Sequence, residues 1–121
     1  MSRIIERLRK LALNSADTEK GRYRMAAAVL DHKGNILATA TNSYVKTHPR
    51  QKHYASKVGN EYKSWLHAEI AALVKVKNGI PSKIVVVRVG NNGELRLAQP
   101  CPVCMLAIKE AGIESIEYTV G

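Results

Sequence analysis

Apolar residues recur at helical spacing near the start of the chain. Between residues 3 and 13 they fall on one face of a helix, and arginines and lysines occupy the other face. The apolar positions are Ile4, Ile5, Leu8, Leu11 and Ala12. This pattern predicts an amphipathic first helix whose apolar stripe packs on the protein core.

A β-hairpin is predicted next. Residues 25–30 and 35–41 have the character of short strands, and the Asp-His-Lys-Gly segment between them ends in Gly34, which can take a positive φ. Residues 42–63 show no sustained apolar pattern, and we expect a long loop there with at most one helical turn. Loops of this length are commonly functional.

The second half of the chain alternates between helix and strand patterns. A helical stripe begins at residues 66–70 and ends near Asn78-Gly79. Residues 83–89 form a β-branched run, which predicts a strand buried on both faces in the middle of a sheet. A further helix with Cys104 on its apolar face runs to Gly112, and residues 113–120 predict a last strand.

The length of 121 residues fits one domain spanning residues 1–121. No apolar run approaches the roughly 20 residues that a membrane span needs. The N-terminus lacks the continuous apolar segment of a secretion signal, so we expect a soluble, cytoplasmic protein without a membrane partner. Nineteen basic against ten acidic side chains give a formal net charge of +9, which attracts phosphates on nucleotides or on a polynucleotide, although scattered lysines also serve solubility.

Three residues with metal-binding side chains stand at or near the predicted starts of two helices. Cys101 and Cys104 lie three positions apart, which is typical of metal binding or redox chemistry, and His67 opens the earlier helix. Zinc prefers such thiolate and imidazole ligands, and a catalytic zinc site keeps its fourth position for water. Glu69, two residues after the histidine, can stand beside that position as a proton shuttle.

Other interpretations of these residues remain open. A helix-start histidine, a pair of buried cysteines and a redox pair are each common, but their combination with Glu69 and the prolines beside Cys101 is specific. A redox pair leaves Glu69 unexplained. A purely structural zinc requires a fourth ligand, for which His48 and His53 are the candidates.

The His-Ala-Glu and Pro-Cys-Pro-Val-Cys motifs resemble the signature of the cytidine deaminase superfamily. This resemblance implies that His67, Cys101 and Cys104 are zinc ligands, that Glu69 is the general acid/base, and that a ring amine leaves as ammonia. Residues 47–49, 66–73 and 111–113 are similar to small deoxycytidylate-deaminase-like members found in phage genomes. By the same resemblance, Asn42 matches an asparagine that contacts the substrate sugar, and Ala68 is expected to line the substrate site.

The resemblance also implies a fold, an α/β architecture of three αβα layers around a cytidine deaminase-like mixed sheet. The family usually continues to a fifth strand and a closing helix, so the sheet is expected to be truncated after its fourth strand. Proteins seldom leave such an edge bare, which predicts a homo-oligomer that covers it.

Three functions are consistent with the sequence. The first is deamination of a free cytosine nucleotide, most simply dCMP to dUMP, with a basic segment binding the 5′-phosphate through Lys46, Arg50, Lys52 and His53. The second is a polynucleotide deaminase acting on single-stranded DNA or tRNA, with flanking bases stacked on Tyr44, Tyr54, Tyr62 and Trp65. The third is a zinc domain without enzymatic activity. Cytidine, guanine and adenosine-type substrates also remain open.

Overall fold

The protein forms four helices and five strands within the residues that the computed structural model describes, namely 3–15, 24–43, 47–59 and 66–121. The helices are Arg3–Leu13 (α1), Pro49–Lys57 (α2), Ala68–Lys75 (α3) and Pro102–Glu110 (α4). The strands are Arg24–Leu30 (β1), Ile36–Thr41 (β2), Lys83–Val89 (β3), Leu95–Arg96 (β4) and Ser115–Tyr118 (β5).

The strands build one mixed sheet. Strand β1 pairs antiparallel with β2 on one side and with β3 on the other. The far edge of β3 is shared, because β5 pairs parallel with its first four residues and β4 pairs antiparallel with its last two. The predicted α/β fold, the hairpin and the central position of β3 are confirmed.

One strand more than expected is present. Leu95–Arg96 adds a two-residue strand, and the strand predicted as the fourth is therefore β5. A segment this short has no alternating pattern of its own, and side-chain hydrogen bonds hold it in place. The Thr119 hydroxyl donates to the Arg96 carbonyl at 2.6 Å and accepts from the Arg88 N–H at 3.2 Å, which ties the end of β5 to both neighbouring strands.

Helices cover both faces of the sheet. Leu8 and Ala12 of α1 pack with Ala26 and Ala28 on one face, whereas Ala27 belongs to the core under α3 on the opposite face. Successive residues of a strand point to opposite faces, so the consecutive buried residues 26–30 of β1 and 84–87 of β3 follow directly from this three-layer arrangement. None of the helices in the described parts of the chain is both long and apolar enough to cross a membrane.

The prediction of a long loop with at most one helical turn over residues 42–63 is wrong. This part of the chain contains α2, a helix of nine residues. Pro49 stands in its first turn, and the Nδ1 atom of His48 accepts from the Arg50 N–H at 3.1 Å as an N-cap. The buried face of α2 is formed by Gln51, Tyr54 and Ala55. A glutamine in this face interrupts the apolar periodicity, which is why the sequence pattern did not reveal the helix.

Strand β5 lies at one edge of the sheet, because β3 is its pairing partner and no further strand follows among the residues with described positions. An exposed edge of this kind can pair with another chain. The homo-oligomer expected from the sequence therefore stays a prediction, with β5 as the edge that it concerns.

Candidate metal centre

Two helix N-termini bring the candidate ligands together. His67 is the N-cap residue of α3 and Cys101 is the N-cap residue of α4, and both have extended backbone angles. Neither side chain makes a capping hydrogen bond to its own helix. Cys104 follows in the first turn of α4, which Pro102 begins. The local sequence therefore starts both helices at residues whose side chains lie close to each other and do not cap their own helices.

The three ligand atoms have the spacing of a zinc site. The Nδ1 atom of His67 lies 3.3 Å from Cys104 Sγ and 3.6 Å from Cys101 Sγ. All three atoms lie within 4.8 Å of one another. Zinc–sulfur and zinc–nitrogen bonds of ordinary length at a tetrahedral angle place nitrogen and sulfur about 3.6 Å apart. One nitrogen and two sulfurs at these separations fit one zinc ion.

Glu69 contributes a buried carboxyl group that interacts with the Cys104 thiol. The residue is 2% exposed, and within the described residues its Oε1 atom has no hydrogen-bond partner. Burial raises the pKa of Glu69, and the charge of His67 opposes this rise. An unpaired buried carboxyl oxygen costs free energy unless a ligand or substrate meets it. Its position beside the three ligand residues therefore points to chemistry at this site.

The two thiols share one proton in the metal-free protein. The hydrogen bond from Cys104 lowers the pKa of Cys101 to about 3, against the opposing effect of burial. The same hydrogen bond, together with burial, raises the pKa of Cys104 well above its usual value. These opposite shifts favour the thiolate form of Cys101 and the thiol form of Cys104. One preformed anionic ligand favours uptake of a cation.

This asymmetry predicts selective alkylation of the metal-free protein. Cys101 is half-buried and is expected to react with iodoacetamide at pH 6, since its pKa of about 3 keeps it ionised at that pH. Cys104 is 0% exposed and is expected to react at least about tenfold more slowly. Peptide mass spectrometry locates the label. Preferential labelling of Cys104 would contradict the assignment, and a Cys101→Ser variant provides the control.

A residue that the sequence pattern did not single out reaches the site from α2. Gln51 is fully buried, and its side-chain Oε1 accepts the backbone N–H of His67 at 3.1 Å. The sequence signal that could have found it is a polar residue at helical spacing from the buried Tyr54 and Ala55.

The end of β2 also lies next to the start of α3, which is called the metal helix below because His67 is its N-cap. The Ser43 N–H donates to the Leu66 carbonyl at 2.9 Å, directly before His67. Asn42 is buried, and its Oδ1 accepts from the Met25 N–H at 2.9 Å, so that oxygen joins β2 to β1. Ala68 is fully buried in the core under α3. The structure thus brings Asn42 and Ala68 to the neighbourhood of the candidate ligands.

The basic residues expected at a phosphate are on α2. Arg50, Lys52 and His53 are exposed, on the sides of this helix that face away from its buried stripe. Lys46 lies outside the described residues. His48 caps α2, and neither it nor His53 belongs to the candidate ligand cluster found among the described residues. The fourth ligand that a purely structural zinc requires is therefore not among these positions.

Of the four aromatic residues that are expected to stack on bases, one lies within the described residues. Tyr54 is buried, and it packs in a cluster with Ile70 and Cys104. It is therefore part of the core beside the metal centre. Tyr44, Tyr62 and Trp65 lie outside the described residues, so their stacking role stays a prediction.

A mixed sheet with helices on both faces, a His-Cys-Cys cluster and a buried carboxyl group define a zinc-dependent enzyme of the deaminase type. The family model described as the cytidine and deoxycytidylate deaminase zinc-binding region matches residues 2–120. The chain belongs to this family, which confirms the resemblance and zinc as the cofactor.

Solved structures agree with this family. The dCMP deaminase from the cyanophage S-TIM5 is 27% identical, with a TM-score of 0.55, over 98% of this chain and 84% of that chain. Cytidine deaminase from Mycobacterium tuberculosis is 21% identical, with a TM-score of 0.51, over 95% of this chain and 87% of that chain, and it supports the fold. A search of curated proteins found no match.

Proposed function

We propose that this protein deaminates a free cytosine nucleotide hydrolytically, converting dCMP and water to dUMP and ammonia. The observation that carries the proposal is the attachment of α2 to the metal centre. This helix exposes Arg50, Lys52 and His53, and Gln51 of the same helix bonds to the backbone of His67. A cationic surface next to a deaminase centre suits a substrate that carries a phosphate.

His67, Cys101 and Cys104 hold the metal in this proposal. A zinc ion in such a site acts as a Lewis acid that makes water a nucleophile near neutral pH. Glu69 would accept one proton from the attacking water and pass it to the ring nitrogen. It would then accept the second proton of that water, from the hydroxyl group now on the ring carbon, and pass it to the leaving amine. The pKa of Glu69, raised by burial, suits a group that both accepts and donates protons. Burial also excludes bulk water from this exchange.

The choice of a nucleoside monophosphate rests on two further considerations. The cyanophage relative is a dCMP deaminase and matches almost the whole chain. The basic residues of α2 and Lys46 supply enough positive charge for one phosphate, and Asn42 beside the metal helix is the proposed contact to the sugar. Together these groups would recognise the sugar and the phosphate of the substrate.

The formal net charge of +9 favours the alternative, a polynucleotide deaminase. Part of this charge, however, lies away from the metal centre. Arg3, Arg7 and Lys10 form an exposed stripe on α1, which packs on the face of the sheet opposite α3. A positive stripe on that face does not line a path into the site. The free nucleotide is therefore the better supported substrate.

Removing positive charge from α2 is expected to lower the activity on a nucleotide and to leave the activity on a nucleoside unchanged. The double variant Arg50→Gln/Lys52→Gln should lower kcat/KM for dCMP by about 10- to 100-fold, because charge-assisted hydrogen bonds contribute about 1.5–3 kcal/mol. Activity on deoxycytidine, which has no phosphate, should stay within about twofold. Steady-state ammonia release from both substrates measures this difference.

Lys57→Gln is the matched control for these substitutions. Lys57 ends the same helix and lies 3.5 Å from Glu110 of α4, so its removal changes the charge of α2 at the end away from Gln51. Its kcat/KM for dCMP should match that of the parent. Equal losses on dCMP and deoxycytidine would contradict the phosphate role. Turnover of a short single strand without any turnover of dCMP would favour the polynucleotide alternative.

A further inference from the structure

Gln51 is a polar residue in a position that would ordinarily be apolar. Its side chain is 0% exposed on the buried face of α2, beside Tyr54 and Ala55. Burying an amide costs free energy unless its polar atoms are hydrogen-bonded. The carbonyl oxygen of this amide accepts the backbone N–H of His67 at 3.1 Å. The burial therefore serves a bond to the residue that supplies the nitrogen ligand.

The bonded group lies where the direction of the ligand is set. His67 is the N-cap of α3, so its φ and ψ are outside the helical range and its N–H lies outside the hydrogen-bond ladder of the helix. Its carbonyl is held from one side by the Ala71 N–H at 2.9 Å. Gln51 holds its N–H from the other side. These two bonds fix both ends of the residue and thereby the direction in which its side chain leaves the backbone.

We propose that Gln51 is a positioning residue of the metal centre, which holds the His67 backbone so that Nδ1 faces Cys101 and Cys104. The proposal rests on the part of the proposed function that makes His67 a zinc ligand. Groups that orient a ligand commonly change metal affinity by 10- to 100-fold when they are removed. Gln51 also joins His67 to α2, the helix that carries Arg50, Lys52 and His53.

Zinc affinity without substrate tests this proposal. Gln51→Met keeps the length and volume of the side chain but removes the acceptor, and it should weaken zinc binding by about 10-fold or more in competition with a chelating indicator. Gln51→Glu keeps an acceptor oxygen at the same reach and should bind zinc more tightly than the methionine variant. The d–d absorption of the Co²⁺-substituted protein should shift in Gln51→Met, since the geometry of the ligand changes.

Ala55→Gly provides the matched control. Ala55 is one turn further along the same buried face, and glycine there loosens this helix while both partners of the Gln51–His67 hydrogen bond are kept. Its zinc affinity and Co²⁺ spectrum should equal those of the parent. Should Gln51→Met not fold, Gln51→Asn takes its place, because it keeps a polar amide that is one methylene too short to reach His67. The same loss of affinity is expected.

Two results would overturn the positioning role. One is parental zinc affinity in the folded Gln51→Met or Gln51→Asn variant, and the other is an equal loss of affinity in Ala55→Gly. Failure of the proposed function is distinguishable, because a parent that binds zinc but releases no ammonia from dCMP leaves these affinity differences intact. A parent that binds no zinc would remove both proposals.

Discussion

Replacing Glu69 with glutamine is expected to lower kcat for deamination by a factor of about 10² to 10⁴, with one zinc ion per chain retained. Glutamine has the shape of the carboxyl group but can neither accept nor deliver the proton that moves between water, ring and amine. Glu69 lies beside the His-Cys-Cys cluster but is not one of its three residues, so the metal should remain. Stopped assays of ammonia release and metal analysis of the same preparation measure the two quantities.

Glu110→Gln is a suitable control for the loss of a carboxylate. Glu110 is exposed at the end of α4 and pairs at 3.5 Å with Lys57, so a kcat near that of the parent is expected. A Glu69→Gln protein with more than about a tenth of the parental kcat would remove Glu69 from the role of proton carrier, given the size of such effects. Loss of zinc in that variant would make the residue part of the metal site instead.

The second large effect is expected from Cys101→Ala. This substitution removes the sulfur that is already ionised in the metal-free protein, because its pKa is about 3. Zinc affinity should fall by more than the 10- to 100-fold typical of outer-shell changes, and ammonia release should fall to background. Cys101 is half-buried, so its truncation should leave the fold largely intact. Chelator competition and activity after dialysis against excess zinc provide the measurement.

Met105→Ala controls for a change in α4 itself. Met105 is 42% exposed in the same helix and is absent from the ligand cluster. Its zinc content and activity should match those of the parent. A Cys101→Ala protein that still bound stoichiometric zinc with parental affinity would show that the metal lies elsewhere.

The elements with a regular apolar period could be predicted from the sequence. Helix α1 was predicted over residues 3–13 and is observed at Arg3–Leu13. Strand β3 was predicted over residues 83–89 and is observed at Lys83–Val89. Helix α1 could be predicted because its burial follows the helical period, and β3 because its continuous β-branched run is buried on both faces. The mixed character of the sheet was implied by the family resemblance.

The elements that depend on distant partners could not be predicted in this way. Helix α2 buries Gln51. The side chain of Gln51 accepts a hydrogen bond from the His67 N–H, and the sequence alone does not show this partner. Strand β4 is two residues long and depends on pairing with Arg88 and Val89. In both cases tertiary contacts supply the stability that local pattern lacks.

The candidate site also contains residues that could be predicted from the sequence and residues that could not. His67, Cys101 and Cys104 belong to short motifs at helix starts, and their convergence follows once the two helices are placed. The proposed substrate residues are different, because Arg50, Lys52 and His53 are exposed and a pattern of exposed charges does not indicate what it binds. Their role at a phosphate therefore rests on the position of α2 beside the metal helix.

The central claim is that one zinc ion per chain enables this protein to deaminate a free cytosine nucleotide. Its most direct test follows ammonia release by zinc-loaded protein from dCMP, CMP, deoxycytidine, cytidine and a short single strand, with the chelated protein measured in parallel. We expect the highest kcat/KM for dCMP and complete loss of turnover when zinc is removed. Zinc-loaded protein that releases no ammonia from any free cytosine nucleotide would contradict it.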